Sequence, residues 1–410
     1  MVVERVAMVS MHTSPASQPG TADAGGMNVA IMSIAQQLAA RGVEVDLITR
    51  AVGVAGSTLL IPGVTLHELA AGEQGPLPKE RLSEVTDEFG EGVAAIARRS
   101  PNGYDIIHAH YWLSGIASLP VSIELGVPLV QSFHTLAAMK DAGMDGAPGH
   151  HREPVTRVRS ETFIANQADA LIASSSAEAT ALIDAVGAPA DRTWIVPPGV
   201  DLGLFSPRTV EVHERVRAAL RLEPDRPFVV LAGRVQPLKG HELAVRALAE
   251  LHALRGWAPV LVIAGEVTPG DELFVSELRE LASVLGVGDD VRFVGALPRD
   301  TLADLLSAAS VTIVPSFSET FALVALESAA SGTPVIGYRS GGLSESVADG
   351  VSGVLLGTRD PRYWATEIAV MLENSERARE LGRTARTHAE KYTWASTAAS
   401  LLGVYAGVAR

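Results

Sequence analysis

The sequence predicts an α/β chain built from two doubly wound parallel-sheet domains. Short apolar runs alternate with longer segments of helical period, the pattern of parallel strands joined by crossover helices. The chain has 410 residues, more than one hydrophobic core usually serves. Two alternating sets are separated by Val196-Pro197-Pro198-Gly199-Val200-Asp201-Leu202-Gly203-Leu204-Phe205-Ser206-Pro207, whose proline and glycine suit an interdomain crossing.

The first set places strands at 6–11, 43–49, 105–109, 128–133, 170–174 and 194–197, with helices over 27–41, 80–99 and 154–166. The second places strands at 228–232, 260–264, 291–294, 311–314 and 334–337, with helices over 241–255, 271–285, 299–309 and 321–331. Stretches 53–75 and 143–149 read as the most mobile parts. Each domain offers ligands a crevice at the carboxyl ends of its strands. If those edges face each other, the site lies in the cleft.

Composition narrows the function. No cysteine is present, which removes disulfides, thiolate nucleophiles and cysteine-ligated metals and fits a cytoplasmic setting. Lys and Arg number 33 against 47 Asp and Glu, a formal charge of −14. That balance argues against nucleic-acid or anionic-membrane partners, which demand clustered cations. Met1 to Ser10 lack the basic and long apolar regions of an export signal. No segment approaches the roughly 18 uninterrupted apolar residues that cross a bilayer.

Several turns could carry chemistry. The first strand leads into Asp23-Ala24-Gly25-Gly26-Met27-Asn28, where glycines allow close backbone approach and a helix start attracts an anion. A dinucleotide fingerprint needs Gly-x-Gly-x-x-Gly and an acid after the second strand. That strand instead ends in Thr49-Arg50, so nicotinamide is disfavoured, with Arg50 the one group suited to a 2′-phosphate. Gly233-Arg234-Val235-Gln236-Pro237-Leu238-Lys239-Gly240 again follows a strand and precedes a helix. Arg234 and Lys239 could there grip a diphosphate and stabilise its leaving oxygen. Glu319 falls in a loop beyond a strand and Glu327 about two turns along the next helix. Such carboxylates could be an acid–base pair or acceptors for sugar hydroxyls.

The first domain contributes His108, His110 and Tyr111 after one strand and His134 and Thr135 after another. The alternating spacing of His108 and His110 is read as sending their rings to opposite faces, which, with no partner acid at ligand spacing, argues against a metal. Lys79 and Arg157, early in helices, are candidates for a second anion site, whereas Arg159 reads as a solvated charge.

Gly25-Gly26, Gly233-Arg234 with Lys239-Gly240, and the Glu319 and Glu327 pair together resemble the retaining glycosyltransferases of family 4, over nearly the whole chain. The resemblance implies a GT-B fold of two facing Rossmann-like domains. It divides the chain into an acceptor domain (1–203), a nucleotide-sugar domain (204–388) and a final helix (389–410) crossing back onto the first. His12-Thr13-Ser14-Pro15, His110-Tyr111-Trp112-Leu113-Ser114-Gly115 and His134-Thr135-Leu136-Ala137 are most similar to the mycothiol-pathway branch, which moves N-acetylglucosamine from a UDP-sugar to 1D-myo-inositol 3-phosphate.

By that resemblance Gly25, Gly26, Arg234 and Lys239 lie at the donor diphosphate, and Leu297 lies near the base. Glu327 takes the ribose, and Glu319 with Phe321, Ala322 and Leu323 meets the sugar. Acceptor contacts fall on His12, Asn28, Lys79, Tyr111, Thr135 and Arg157, and His134 lines the reacting sugar. Arg234, Lys239, His134 and Glu319 form the implied catalytic group. The family reaction is a front-face attack that needs no protein nucleophile and no cofactor beyond the nucleotide sugar. Leu306, Ser307 and Ala309 would offer a structural magnesium only backbone oxygens.

Ala322 stands where the mycothiol branch usually has glycine, and the 140–153 loop also departs from its pattern. An alternative therefore stays open: a paralogue of antibiotic biosynthesis that joins a GDP-sugar to the sulfur of ergothioneine. The expected partners are a small donor and a small acceptor, and a homodimer stays open as well.

Overall fold

The computed structural model describes residues 2–409 except 22, 101, 148–151, 224 and 269. The chain divides into two compact units. One comprises Met1–Ser17, Gly26–Pro198 and Trp394–Arg410; the other comprises Gln18–Gly25 and Gly199–Thr393.

The first unit holds an eight-stranded sheet. Its strands are β1 (Arg5–Val9), β2 (Glu44–Arg50), β3 (Gly56–Ile61), β4 (Val64–Leu69), β5 (Ile106–His110), β6 (Leu129–Ser132), β7 (Ala170–Ala173) and β8 (Thr193–Ile195). They run β3-β4-β2-β1-β5-β6-β7-β8 and are parallel except for the β3/β4 pair. One face packs Ala7, Ile107 and Leu129 against Phe89, Val93, Leu113 and Ile164 of the crossover helices. The helix Gly26–Ala39 buries Ile31, Ile34 and Leu38, a stripe of helical period, and meets the helix Trp394–Val408.

The structure corrects three sequence expectations here. The 53–75 stretch, read as one of the most mobile parts and given no strand, contains β3 and β4, joined by Pro62-Gly63, with Val64 and Leu66 buried at alternate positions. The expected helix 80–99 is a short 3₁₀ turn, Lys79–Val85, followed by the helix Thr86–Arg99. Arg50 is 5% exposed and donates to the carbonyls of Ala71, Gly75 and Glu73, so it fastens a loop and is closed to a 2′-phosphate. In the 143–149 stretch, residues 148 and 149 lie outside the described residues, as do His150 and His151.

The second unit holds six parallel strands. These are β9 (Phe228–Ala232), β10 (Val260–Ala264), β11 (Val291–Gly295), β12 (Val311–Val314), β13 (Val335–Tyr338) and β14 (Gly353–Leu356), ordered β11-β10-β9-β12-β13-β14. Successive residues of β9 enter opposite cores. Val229 and Leu231 pack with Leu248 and Trp364, whereas Phe228 and Val230 pack with Leu306 and Leu326. Burial on both faces explains why these strands read as unbroken apolar runs.

The helix Trp394–Val408 returns to the first unit. Its fully buried Tyr405 meets His108 of β5 with Oη···Nδ1 at 2.6 Å, and His108 Nε2 lies 2.9 Å from Ser132 Oγ. Burial pushes the His108 imidazole down to about 3, so it is neutral. Tyr405→Phe leaves that ring nitrogen without its partner. Denaturant unfolding should show a loss of about 1–3 kcal/mol, the usual cost of an orphaned buried polar group; an unchanged midpoint would show that the contact contributes nothing.

Candidate active site

In the first unit the winding reverses between β1 and β5, which are adjacent in the sheet but far apart in sequence. Loops diverge at such a switch point and leave room at the strands' carboxyl ends. The chain there delivers His12 after β1, Tyr111 after β5, and His134 and Thr135 after β6. Tyr111 is the hub. Its ring centroid lies 4.3 Å from that of His12, 5.1 Å from Lys79 Nζ and 5.2 Å from Arg157 Cζ. Two cations and an imidazole thus border one aromatic ring, each cation in the range of a cation–π contact.

Arg157 is 7% exposed and tightly held. Its Nε donates to Glu161 Oε1 at 2.7 Å, Nη1 to Glu153 Oε2 at 2.8 Å, and Nη2 to the carbonyl and hydroxyl oxygens of Thr135, each at 3.0 Å. Burial alone would lower its pKa, but Tyr111, Glu161 and Glu153 hold the guanidinium above its ordinary value. Glu153 also pairs with Lys140. Asn28, 1% exposed, faces the loop after β1: its amide donates to Thr13 Oγ1 at 3.1 Å and the Ser14 carbonyl at 2.7 Å. His134 Nε2 lies 2.8 Å from His110 Nδ1.

The expectation that His108 and His110 face opposite ways is wrong. Their ring centroids are 4.1 Å apart, because residues two apart in a strand share a face. Among the described residues, no cluster of three or more His, Asp or Glu is arranged to hold a metal ion.

In the second unit the reversal falls between β9 and β12. The turn after β9 carries Arg234 and Lys239; the loop after β12 carries Glu319. Two backbone contacts join these turns. Phe317 N donates to the Leu238 carbonyl at 2.9 Å, and Gly240, at φ 73°, lies so close to Pro315 that a Cβ would sit 2.1 Å from its carbonyl oxygen. Only glycine fits there. Lys239 Nζ consequently reaches Glu319 Oε1 at 2.7 Å. Arg359 supports the same loop, donating to the Pro315 carbonyl at 2.7 Å with its guanidinium 3.4 Å from the Phe317 ring centroid.

Arg234 Nη1 donates to Asp23 Oδ1 at 3.1 Å, and a Cβ on Gly25 would lie 3.8 Å from Arg234 Nε. Gly25 and Arg234 are therefore neighbours, whereas Gly26 opens a helix of the first unit. Glu327, 5% exposed, pairs with Arg299 and not with Lys239. Leu297 is half-buried against the core beside β11. Phe321 is 2% exposed and packs on Tyr392 with centroids 5.6 Å apart, so its side chain is closed to a ligand. Ala322 caps the helix Leu323–Ala330 at φ 68°.

The partner carboxylates Asp23, Glu153 and Glu161, together with Arg299 and Arg359, were not singled out from sequence. Spacing could have found two of them, since Glu153 and Glu161 stand four residues on either side of Arg157. The others come from distant segments and have no local signature.

A sequence profile described as Glycosyltransferase Family 4 matches residues 24–204, and one described as Glycosyl transferases group 1 matches 212–388. A protein of Acidothermus cellulolyticus named D-inositol 3-phosphate glycosyltransferase is 44% identical over 98% of this chain and 90% of its own. The chain belongs to the family 4 glycosyltransferases. A protein of the same name from Nocardiopsis dassonvillei is 42% identical, over 98% of this chain and 94% of its own. Among solved structures, sucrose-phosphate synthase from Thermosynechococcus elongatus is similar at a TM-score of 0.89 and 31% identity, covering 98% of both chains. Anabaena Alr3699/HepE, solved with UDP and glucose, has a TM-score of 0.79 over 98% of this chain and all of its own; at 20% identity the likeness is one of fold.

This family 4 glycosyltransferase stores backbone strain at its turns. Of four non-glycine residues with positive φ among those described, Tyr111, His134 and Ala322 lie on them. A left-handed alanine costs about 1 kcal/mol. Ala322→Gly should therefore raise the thermal midpoint, less the entropy glycine gains on unfolding; a drop in midpoint would show that the methyl packs favourably enough to outweigh the strain.

Proposed function

We propose that the protein transfers a sugar, with retention, from a nucleoside diphosphate sugar to a small phosphate-bearing acceptor, with UDP-N-acetylglucosamine and 1D-myo-inositol 3-phosphate as the best-matched pair. The observation that carries this reading is the presence of two separate cation sets, each at the switch point of a different sheet. Lys79 and Arg157 around Tyr111 suit the acceptor phosphate, and Arg234 and Lys239 suit the donor diphosphate. The names of the relatives support the acceptor.

In the proposed reaction the bond from the anomeric carbon to the diphosphate breaks while the acceptor oxygen bonds to the same face. The acceptor proton passes to the departing phosphate oxygen. No protein nucleophile is required. Lys239 and Arg234 stabilise the charge that builds on the diphosphate, a task that a metal performs elsewhere. Glu319 accepts from sugar hydroxyls and Glu327 from the ribose; His134 borders the transferred sugar. Gly25 and Gly26 let backbone approach the diphosphate, Ala322 and Leu323 offer backbone to the sugar, and Leu297 borders the base. Asn28 and His12 complete the acceptor side.

Incubation with UDP- and GDP-sugars and with inositol phosphate or a thiol acceptor, read as nucleoside diphosphate release, tests the reading. Turnover with a UDP-sugar and inositol phosphate supports it. Turnover confined to a GDP-sugar and a thiol would favour the antibiotic-pathway alternative, to which the strained Ala322 at the donor loop is relevant. No turnover and no thermal shift with any nucleotide would reject both.

Lys239→Ala should lower turnover by about two orders of magnitude, as for loss of one preorganised donor; near-normal turnover would remove Lys239 from the mechanism. Arg157→Ala should raise the acceptor KM at least about tenfold, consistent with loss of a charge-assisted bond, while donor binding persists. An unchanged acceptor KM would count against a phosphate at Tyr111.

A further inference from the structure

A cation outside the proposed reaction grips the loop that carries Glu319. Arg359 lies between β14 and the helix Pro361–Glu373, and the core sets its place. Trp364, fully buried, donates from Nε1 to the Thr358 carbonyl at 2.9 Å, and Asp360 caps the helix by accepting from Arg362 N at 3.1 Å. From that fixed root the half-buried Arg359 side chain reaches two residues of the loop after β12. Nη1 donates to the Pro315 carbonyl at 2.7 Å, and the guanidinium carbon stands 3.4 Å from the Phe317 ring centroid, a distance that only an approach over the ring face allows.

Those two residues are the ones that press on the turn of Lys239. Pro315 abuts Gly240, where a Cβ would sit 2.1 Å from the Pro315 carbonyl oxygen and 3.0 Å from Arg359 Nη2. Phe317 N donates to the Leu238 carbonyl at 2.9 Å. Lys239 stands between Leu238 and Gly240, so its backbone is fixed on both sides by residues that Arg359 in turn holds. Glu319, two residues beyond Phe317, then receives Lys239 Nζ at 2.7 Å. All of these groups belong to one unit.

Arg359 differs from the neighbouring cations in what holds it. Arg234 and Lys239 are each paired with a carboxylate. Asp360, next to Arg359 in the chain, pairs with Arg362, and Glu242, whose charge reaches Arg359, pairs with Arg246. Arg359 is left with a carbonyl and the rings of Phe317 and Tyr338, and burial pushes its pKa down to about 10, so it stays charged at neutral pH. A partly buried charge without an ion pair costs stability. Only a planar fork, however, can bond a carbonyl while its face covers a ring.

We propose that Arg359 is a positioning residue: by holding Pro315 and Phe317 it sets the backbone on both sides of Lys239 and so aims Lys239 Nζ at the donor diphosphate. The diphosphate half rests on the glycosyl-transfer reading. A lysine ammonium rides on a flexible four-carbon stem, so its placement is only as good as that of its backbone. A shift of about 1 Å at a reacting group can cost about a hundredfold in rate.

Arg359→Met keeps a long apolar side chain that can lie on Phe317 and removes the charge and the carbonyl bond. With the donor and acceptor that the wild type turns over, kcat per folded molecule should fall about tenfold, the scale of one charge-assisted bond, with the acceptor KM within about twofold. An unchanged kcat would overturn the inference. The same substitution in Lys239→Ala protein separates positioning from general weakening. There the group that Arg359 aims is already gone, so Arg359→Met should cost less than about twofold more; a second loss of about tenfold would show that Arg359 acts apart from Lys239 and overturn its role. Phe317→Leu removes the stacked ring and leaves Arg359 in place. It should show a loss masked in the same way by Lys239→Ala, and it carries the test if Arg359→Met does not fold; an unmasked loss would again overturn the role. Absence of turnover in the wild type with every donor would overturn the proposed reaction and this inference together, whereas normal turnover in the Arg359 variant would overturn the inference alone.

Discussion

A parallel sheet that reverses its winding must send consecutive connections to opposite faces, and the carboxyl ends of the two central strands are left uncovered. That constraint operates twice here, between β1 and β5 and between β9 and β12. His12, Tyr111, Arg234 and Glu319 leave the backbone within five residues of those ends, whereas Asn28, Lys79, Arg157 and Glu327 come from helices or turns further along the chain. The turns must also break direction sharply, from strand to helix in very few residues. This is why Tyr111, His134 and Ala322 occupy the left-handed region without being glycine. Strain at these turns and function at these turns have one geometric origin.

Charge follows the same economy. The chain is acidic overall, yet three of the cations at the two switch points are buried or half-buried and met by carboxylates: Arg157 by Glu153 and Glu161, Arg234 by Asp23, Lys239 by Glu319. Such pairs hold the cations in place without leaving an uncompensated charge in low dielectric. A phosphate that enters competes with a carboxylate already present. Affinity is then set by the difference between two charge-assisted bonds, and not by one bond made in water. The global charge of −14 carried no information about this local arrangement.

The fold was largely legible because buried parallel strands are apolar throughout and their helices are periodic. What escaped has identifiable causes. The hairpin of β3 and β4 was hidden by the glycines that flank it, although Pro62-Gly63 between alternating runs is a hairpin signal. The helix Trp112–Leu125 carries Pro120 in its interior and so does not read as continuous. At the site, Lys239 and Glu319 were visible as residues of one turn and one loop, but their pairing depends on Gly240 lying against Pro315, a contact between segments far apart in sequence. The pairing of Glu327 with Arg299, which lies on another helix, has no local signature either. The error over His108 and His110 was one of geometry, since strand periodicity puts both rings on one face.

The hydrogen-bond inventory of Arg157 sharpens the acceptor side beyond a count of charges. A guanidinium has five N–H groups. Glu161 takes the one on Nε, Glu153 takes one on Nη1, and Nη2 reaches both oxygens of Thr135. By this count one N–H remains for an incoming anion. Thr135 Oγ1, however, accepts from Arg157 and therefore keeps its own hydrogen to donate, and Thr135 is exposed where Arg157 is not. An anion beside Tyr111 would be met by an exposed hydroxyl polarised from behind by a buried cation, with Lys79 supplying a second, half-buried charge. Arg157 then acts mainly as the electrostatic backing of Thr135. A lysine in its place could supply the charge but not the simultaneous grip on Glu161, Glu153 and Thr135, because only a planar fork addresses all three directions at once.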